Sequence, residues 1–386
     1  MRKLTLNIQE FDTSKKIVII SYATYPGNAP RQIRTHQLTK ELSRRGHDVT
    51  LYVLTSDYDY RDYLDNNNIK VKSLGKTYFF KYSHKTGATL NFPMKVIKKL
   101  IGKFFEFPAI ELMFNTYAAI KKESNADLLI TIGAPHTIHW GAALFRTLRK
   151  EQLKKTTWVA DCGDPYMGNP FSKKPVYFKY VEKWFFRKAD FVTIPIEEAR
   201  EAYYSEFSNK IKIIPQGFEL DKPKVNTKII KNNIPTFIYA GNFYEGLRDP
   251  RPFLEYLKDL GADFKFIVYT KDSYLLAEFQ KILGNKLEVF NYIPREQLIL
   301  KMSEVDFLVN FENPSITQSP SKLIDYALSK RPILSLNTNS TLDTSLINQF
   351  LAGDYTNTIF IKNIEDYDIR NVTNKFLSLL DNLNTD

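Results

Sequence analysis

The sequence predicts an α/β protein with two doubly wound domains, each built on a parallel sheet. Short apolar runs of strand length alternate with helical patterns along most of the chain, which is typical of repeated βαβ units. The alternation starts again near Gly217, and 386 residues suffice for about two domains. We expect an N-terminal domain over 1–205, a C-terminal domain over 206–365, and a last helix over 366–386 that packs back on the N-terminal domain.

The first βαβ unit shows the pattern most clearly. The apolar run Lys16–Tyr22 predicts a strand, and a Pro- and Gly-rich loop follows it. An amphipathic pattern over Arg31–Arg45 predicts a helix, which Gly46 ends. A second strand, Asp48–Leu54, follows at once, so the two strands should be parallel neighbours.

The same alternation predicts the remaining elements. Further strands are expected over Asp127–Ile132, Thr157–Ala160, Asp190–Ile194, Lys212–Ile214, Thr236–Ala240, Phe264–Tyr269, Leu287–Asn291, Phe307–Asn310 and Ile333–Leu336. Helices are expected over His136–Lys150, Tyr180–Lys188, Pro252–Leu260, Ser273–Leu283, Arg295–Glu304, Pro320–Lys330 and Ile364–Leu383. Open α/β sheets bind ligands outside the carboxyl ends of their strands, so we expect the site in a central cleft that the two domains face.

Composition narrows the function classes. The single cysteine, Cys162, rules out an internal disulfide and cysteine-based zinc motifs. The polar start of the chain predicts no signal peptide, and no apolar run reaches the length of a membrane span, so we expect a cytoplasmic protein. The net charge of +11 favours an anionic partner. No nucleic-acid motif accompanies that charge, and no nucleic acid is expected.

Several common motifs are excluded. Gly75-Lys76-Thr77 lacks the first glycine of a phosphate loop, because Lys70 stands in its place. No G-x-G-x-x-G follows the first strand, which argues against a dehydrogenase. Asp57-Tyr58-Asp59 lies in an acidic loop, and we interpret it as solvated. No metal site and no cofactor are expected.

Residues 319–334 (SPSKLIDYALSKRPIL) form the strongest motif. Ser319 can cap a helix that has Pro320 at its first position, and such an N-terminus attracts phosphate. Lys322 adds a full charge in the first turn, and Asp325 lies three residues on, on the same face. The residues fit a diphosphate held by Lys322 and a ribose held by Asp325. They fit equally well a capped surface helix with an i,i+3 ion pair.

Residues 237–254 (FIYAGNFYEGLRDPRPFL) form a second motif. A strand ends at Gly241, where a missing Cβ lets a ligand approach the backbone. Asp249 and Pro250 can start the next helix, and Arg248 stands beside its N-terminus, where it could bind a phosphate. The alternative is a structural arginine on a capped helix.

Both motifs resemble the donor-binding segments of retaining GT-B glycosyltransferases, family 4 in particular. The first is similar to the family's P-S-K-L-x-E-Y-L-A-x-G-K-P-V-L stretch, and the second to its Y-x-G-x-x-x-x-x-R/K-x segment. The resemblance implies a GT-B fold and a nucleotide-sugar donor, with Arg248 and Lys322 on the diphosphate and Asp325 on the ribose. Asp325 replaces the usual Glu, and Thr317 stands where many members carry a second Glu. The donor-binding residues are then Gly241, Asn242, Arg248, Thr317, Ser321, Lys322, Leu323 and Asp325.

Three N-terminal segments also resemble this family. They are residues 24–34 (TYPGNAPRQIR), 132–139 (IGAPHTIH) and 158–166 (WVADCGDPY), the last with Gly163 in place of the family's Arg. The acceptor-side residues would be Gly27, Asn28, Arg31, Arg34 and Asp161. The catalytic residues would be His136, Asp164, Arg248 and Lys322, with His139 as the alternative histidine. For both histidines a structural role is equally compatible with the sequence.

The predicted function is glycosyl transfer from a nucleotide sugar to a saccharide or lipid-linked acceptor, with retention, without a metal, and for cell-surface polysaccharide. Residues 93–107 (PMKVIKKLIGKFFEF) alternate apolar and basic side chains at helical spacing, which predicts peripheral contact with the anionic inner face of the cytoplasmic membrane. A core-facing helix is the alternative. A sugar-nucleotide epimerase of the same fold and a catalytically silent GT-B binding partner are the competing functions.

Overall fold

The computed structural model describes residues 14–27, 29–55, 58–80, 100–123, 125–170, 172–221, 225, 231–246, 248–312, 321–338 and 340–381. The chain divides into two compact units. The first contains residues 1–214 and 372–386, and the second contains residues 215–371. No helix among the described residues is both long enough and apolar enough to span a bilayer.

The first unit is a parallel sheet of seven strands with helices between them. The strands are β1 Lys16–Ile20, β2 Asp48–Val53, β3 Lys70–Ser73, β4 Leu128–Gly133, β5 Thr157–Cys162, β6 Phe191–Ile194 and β7 Ile211–Ile213, in the order β3-β2-β1-β4-β5-β6-β7. The helices are α1 Pro30–Arg44, α2 Arg61–Asn67, α3 Glu111–Lys121, α4 Thr137–Leu148 and α5 Phe178–Lys188. Every residue of β4 and β5 is buried, as expected of strands covered on both faces.

The second unit repeats the plan with five parallel strands. They are β8 Thr236–Ala240, β9 Lys265–Tyr269, β10 Leu287–Phe290, β11 Phe307–Phe311 and β12 Ile333–Leu336, in the order β10-β9-β8-β11-β12. The helices are α6 Arg251–Asp259, α7 Ala277–Leu283, α8 Arg295–Met302, α9 Ser321–Leu328, α10 Thr344–Leu351 and α11 Ile369–Asp381, which continues into the first unit. Its core is aromatic: the ring of Phe237 stacks on those of Phe266 and Phe307, with centroids 4.9 and 4.7 Å apart.

Each sheet has one point at which the strand order reverses. In the first unit β1 lies between β2 and β4, and in the second β8 lies between β9 and β11. Connections leave such a point toward opposite faces of the sheet, which opens a crevice at the carboxyl ends of the strands. The loops after β1, β4, β8 and β11 are therefore the places to look for a site.

The division between the units falls later than the sequence predicts. Strand β7 pairs with β6 in the first sheet, with Val192 opposite Ile211 and Ile194 opposite Ile213. Residues 206–214 therefore belong to the first unit, and the boundary lies at 214/215 instead of 205/206. At the other end, residues 372–386 rejoin the first unit, so the return begins inside α11.

Candidate functional site

The reversal point of the second sheet begins with a glycine. Strand β8 ends at Ala240, and Gly241 follows with φ +150°, a conformation that side chains rarely adopt. A Cβ at this position would lie 3.0 Å from the hydroxyl of Tyr239. The chain therefore turns here with its backbone uncovered.

Tyr239 brings two cations to this turn. Its hydroxyl donates to the carbonyl oxygen of Asn242 at 2.8 Å, and Nη1 of Arg248 donates to the same oxygen at 3.2 Å. The Nζ of Lys322 lies 4.8 Å from the centroid of the Tyr239 ring. Arg248 is held further by paired backbone hydrogen bonds with Tyr244, whose ring lies 5.5 Å from the guanidinium carbon. Residues from two separate motifs thus meet at one tyrosine.

Lys322 sits here without a carboxylate partner among the described residues. Its Nζ donates to the carbonyl oxygen of Phe311, the last residue of β11, at 3.4 Å. Burial, with the charge of Arg248 nearby, holds the pKa of Lys322 well below its usual range. Burial and the Arg248 charge both disfavour the ammonium form of Lys322. A bound anion would favour that form and so raise the pKa again. The arrangement of these side chains suits an anionic ligand.

The surface-helix alternative requires an ion pair between Lys322 and Asp325. The structure does not have this pair. The Oδ1 of Asp325 accepts from Nε of Arg295 at 2.8 Å and lies 2.6 Å from Nη2. Burial raises the pKa of Asp325, and the Arg295 charge acts against that rise. Arg295 begins α8 and lies over the Phe218 ring at 5.0 Å. It is a part of the site that the motifs do not show.

Tyr326 fixes α9 to the sheet. Its hydroxyl accepts from the backbone N–H of Ala240 at 2.9 Å and donates to the carbonyl oxygen of Val309 at 3.0 Å. The buried phenol thus joins the end of β8 and the middle of β11 to the helix that carries Lys322 and Asp325. A second phenol, that of Tyr292, contacts the Oδ1 of Asn242, and burial raises its pKa to about 12.

The other predicted donor residues add less. Leu323 is half-buried and packs against the core of the second unit. Thr317 and the side chain of Ser321 lie outside the described residues, as do Ser319 and Pro320. Helix α6 begins at Arg251, with Pro250 as its cap residue, and the carboxylate of Asp249 accepts the Arg251 backbone N–H at 3.0 Å.

In the first unit, Arg34 and Asp161 form a buried ion pair. The guanidinium donates from Nε at 3.0 Å and from Nη2 at 2.8 Å, and both side chains are 2% exposed. Arg34 also donates to the Ile214 carbonyl oxygen at 3.1 Å, and Thr193 donates to Asp161 at 2.6 Å. Burial alone would raise the pKa of Asp161, but the two neighbouring arginines hold it below its usual range. The ion pair joins α1 to the sheet, and the acceptor role of these two residues stays a prediction.

Arg31 explains the departure at Gly163. A Cβ on Gly163 would lie 2.2 Å from Cζ of Arg31, so the guanidinium occupies the space that a side chain at 163 would enter. Arg31 is 17% exposed and its Nη1 lies 3.5 Å from Oδ2 of Asp161. Burial lowers its pKa, and the charges of Asp161 and Asp164 oppose that shift. A guanidinium is therefore present at this edge of the sheet, supplied by α1.

The structure separates the two candidate histidines. His139 is fully buried, its Nδ1 lies 2.8 Å from the Thr131 hydroxyl, and its ring stacks on Phe185. It is a core residue. His136 is 7% exposed at the start of α4, and its Nε2 donates to the Asp164 carbonyl oxygen at 3.2 Å. Burial lowers the pKa of His136 to about 4, so its ring is neutral at pH 7, with Nδ1 as acceptor.

The other first-unit residues divide in the same way. Cys162 is buried, and burial raises the pKa of its thiol well above the usual value, which disfavours the nucleophilic thiolate. Asp164 is half-buried after β5. Gly27 has a packing reason for its identity: a Cβ would lie 2.0 Å from Oε1 of Gln32, which accepts the Ala29 N–H. Asn28 lies outside the described residues. The described part of the chain holds no group of three His, Cys, Asp or Glu side chains arranged to bind a metal.

Comparison with known proteins agrees with the fold. The model of Glycosyltransferase Family 4 matches residues 32–222, just under half of the chain. No curated protein matches the sequence. The fold is similar to that of a glycosyltransferase from Rickettsia africae ESF-5, with TM-score 0.64 and 13% identity over 96% of this chain and 99% of that one.

Two further structures share the fold. One is Anabaena HepE in complex with UDP and glucose, with TM-score 0.58 and 10% identity over 96% of this chain and 98% of that one. The other is the UDP-GlcNAc 2-epimerase from Neisseria meningitidis bound to UDP-GlcNAc, with TM-score 0.53 and 14% identity over 95% and 100%. The chain has the GT-B fold. Its resemblance to glycosyltransferase family 4, predicted from the motifs, is confirmed.

Proposed function

We propose that this protein is a retaining, metal-independent glycosyltransferase that moves a hexosyl or related sugar from a nucleotide sugar to a saccharide or lipid-linked acceptor. One observation carries the proposal: Lys322 and Arg248 meet at Tyr239, beside the reversal point of the second sheet. Two cations there would offset the charge that develops on a departing nucleoside diphosphate. They would do so without a metal ion.

The donor would be held by the second unit. Its diphosphate would contact Lys322 and Arg248, and the backbone at Gly241 and Asn242 would lie against it. Asp325 would accept hydrogen bonds from the ribose, with Arg295 holding the carboxylate in place. Because two of the similar structures contain UDP or a UDP-sugar, uridine nucleotides are the first donors to try.

The acceptor would contact the first unit. Asp164 is half-buried, and its carboxylate would hold acceptor hydroxyls. His136 is neutral, and its free Nδ1 would accept a hydrogen bond from a sugar. Arg31 would remain near them as a positive charge at the same edge of the sheet. No residue pair in the sequence demands a covalent sugar intermediate, so we propose a same-face displacement assisted by the leaving phosphate.

A peripheral membrane contact would bring a lipid-linked acceptor within reach, as in polysaccharide assembly. Residues 100–105 are helical, and Leu100, Phe104 and Phe105 are exposed there. Exposed apolar side chains beside lysines suit the interface of an anionic bilayer. Co-sedimentation with phosphatidylglycerol vesicles would fall in Leu100→Ser/Phe105→Ser, and unchanged binding would contradict this part of the proposal.

Transfer assays with a panel of nucleotide sugars and saccharide acceptors test the function. The wild type should release nucleoside diphosphate only when acceptor is present, and EDTA should leave the rate unchanged. Lys322→Ala should lower nucleoside diphosphate affinity and transfer about 30-fold or more, the effect of losing a charge-assisted phosphate contact. The matched control Lys281→Ala removes an exposed lysine of the same unit and should behave as wild type.

Two results would contradict the proposal. Conversion of the nucleotide sugar to its epimer without acceptor would identify the epimerase instead. Failure of every nucleoside diphosphate to bind at millimolar concentration would favour the silent binding partner.

A further inference from the structure

The first unit carries a large basic cavity on the opposite edge of its sheet. The cavity measures about 840 Å³, and its lining comes from residues that precede or begin β1, β4, β5, β6 and β7, from the ends of α4 and α5, and from Leu380 of α11. It therefore opens at the amino ends of the strands. The proposed acceptor residues lie at the carboxyl ends.

The cavity concentrates the positive charge of the chain. Eight lysine and arginine side chains line it, against two carboxylates, those of Asp127 and Asp190. The surplus of six is more than half of the net charge of +11. Like charges gathered in a concave surface raise the local potential and attract anions.

Two of the eight cations serve the fold. Arg146 makes a double hydrogen bond to Asp190, at 2.8 and 2.6 Å, and donates to the carbonyl oxygens of Lys188 and Thr156. Lys210 donates to the carbonyl oxygens of Phe186, Arg187 and Ala189, which end α5. These two side chains already neutralise the carboxyl end of that helix.

Four others are in surplus. Within the described part of the chain, no carboxylate lies within 4 Å of Lys150, Lys155, Arg187 or Lys188. Helix capping does not account for them, because Arg146 and Lys210 fill that role. Lys150, Lys155 and Arg187 are exposed and can move onto a ligand, and Lys188 is half-buried at the wall.

The shape selects the kind of anion. A membrane surface needs a flat or convex contact with exposed apolar side chains at its rim. This surface is a cavity with few apolar residues, of which Leu153 and Ala189 are buried and Leu380 is half-buried. A volume of about 840 Å³ is that of a small-molecule site. Phosphate groups are the anions that clustered lysines and arginines bind best.

We propose that this cavity is a second ligand site, separate from the donor site, which binds a soluble molecule with two or more phosphate groups. Lys150, Lys155, Arg187 and Lys188 bind the phosphates. The inference does not depend on the proposed transferase function.

The test measures binding of inorganic tripolyphosphate by titration calorimetry at 150 mM salt. Three variants are compared with wild type: the cavity variant Lys150→Ser/Lys155→Ser/Arg187→Ser/Lys188→Ser, the donor-site variant Lys322→Ala, and a control. The control, Lys121→Ser/Lys122→Ser/Lys281→Ser/Lys362→Ser, removes the same charge from exposed lysines that do not line the cavity. Thermal melting confirms that each variant is folded.

We expect the cavity variant to bind tripolyphosphate at the cavity site at least tenfold more weakly. The affinity of that site should stay within twofold of wild type in the control and in Lys322→Ala, although Lys322→Ala also loses any second binding event at the donor site. Equal loss in the control would show general charge attraction and overturn the proposal. Loss in Lys322→Ala alone would place the phosphate at the donor site and also overturn it. Vesicles of phosphatidylglycerol form the last arm: if the cavity variant loses vesicle binding but keeps tripolyphosphate binding, the surface recognises lipid and the proposal fails.

Discussion

Arg34 of the first unit and Lys322 of the second lie at comparable places and have opposite surroundings. Each follows a strand at the reversal point of its sheet, and each is carried by a helix. Arg34 makes two hydrogen bonds to Asp161 and a third to a carbonyl oxygen. Lys322 has one long contact with a carbonyl oxygen and one aromatic ring. Arg34, whose donors are satisfied, joins parts of the fold, whereas Lys322 has no carboxylate partner among the described residues and is the cation that we propose binds a ligand.

The largest expected effect comes from breaking the satisfied pair. Asp161→Asn leaves the guanidinium of Arg34 buried without its counter-charge, and removing one partner of a buried pair costs about 3–5 kcal/mol. We expect the free energy of unfolding, measured in urea, to fall by that amount. The double variant Arg34→Met/Asp161→Leu should recover most of the loss because no charge remains buried. A loss below about 1 kcal/mol in Asp161→Asn would show that solvent reaches the pair.

The sequence predicts the strands better than it predicts the difference between the surroundings of Arg34 and Lys322. Every described strand except β3 follows from its apolar run. The β3 sequence Lys70–Ser73 is polar because β3 is an edge strand. It pairs with β2 on one side and with no strand of the sheet on the other. Helices α2, α3 and α10 were also missed.

Contacts between residues far apart along the chain could not be predicted from the sequence. The motifs located Lys322, Arg248 and Asp325, but the partner of Asp325 is Arg295, thirty residues away on another helix. Nor does spacing reveal that Arg34 reaches Asp161 across 127 residues. Both arginines were visible as charges, and only packing shows which carboxylate each one meets.

The second-largest expected effect is a loss of stability in Gly163→Ala. It tests Arg31, whose surroundings are intermediate between those of Arg34 and Lys322. In Gly163→Ala the new Cβ would lie 2.2 Å from Cζ and 2.5 Å from Nε of Arg31, so the guanidinium must leave its place. Overpacking of this kind costs about 1–3 kcal/mol. Gly261→Ala is the control, since nothing lies within 4 Å of its added Cβ, and it should change the free energy of unfolding by under about 0.5 kcal/mol.

A cycle with Arg31→Ala separates the cause. If the clash with Arg31 produces the loss, Gly163→Ala should cost less in an Arg31→Ala background than in wild type. Purely additive losses would show that the clash lies elsewhere, and Arg31 would no longer explain the glycine.

The smallest effect is a dependence on pH, and it tests the uncompensated cation directly. Burial and Arg248 lower the pKa of Lys322 in the free protein, and a bound diphosphate would raise it again. Between these two pKa values of Lys322, binding takes up a proton, so affinity falls as pH rises, by at most tenfold or about 1.4 kcal/mol per pH unit.

Calorimetry above pH 7, where the phosphate itself has already ionised, measures that proton uptake by comparing buffers of different ionisation enthalpy. In Lys322→Met the affinity should be weaker and the slope should vanish. An unchanged slope in this variant would assign the proton to another group, and the contrast with Arg34 would then be one of packing alone.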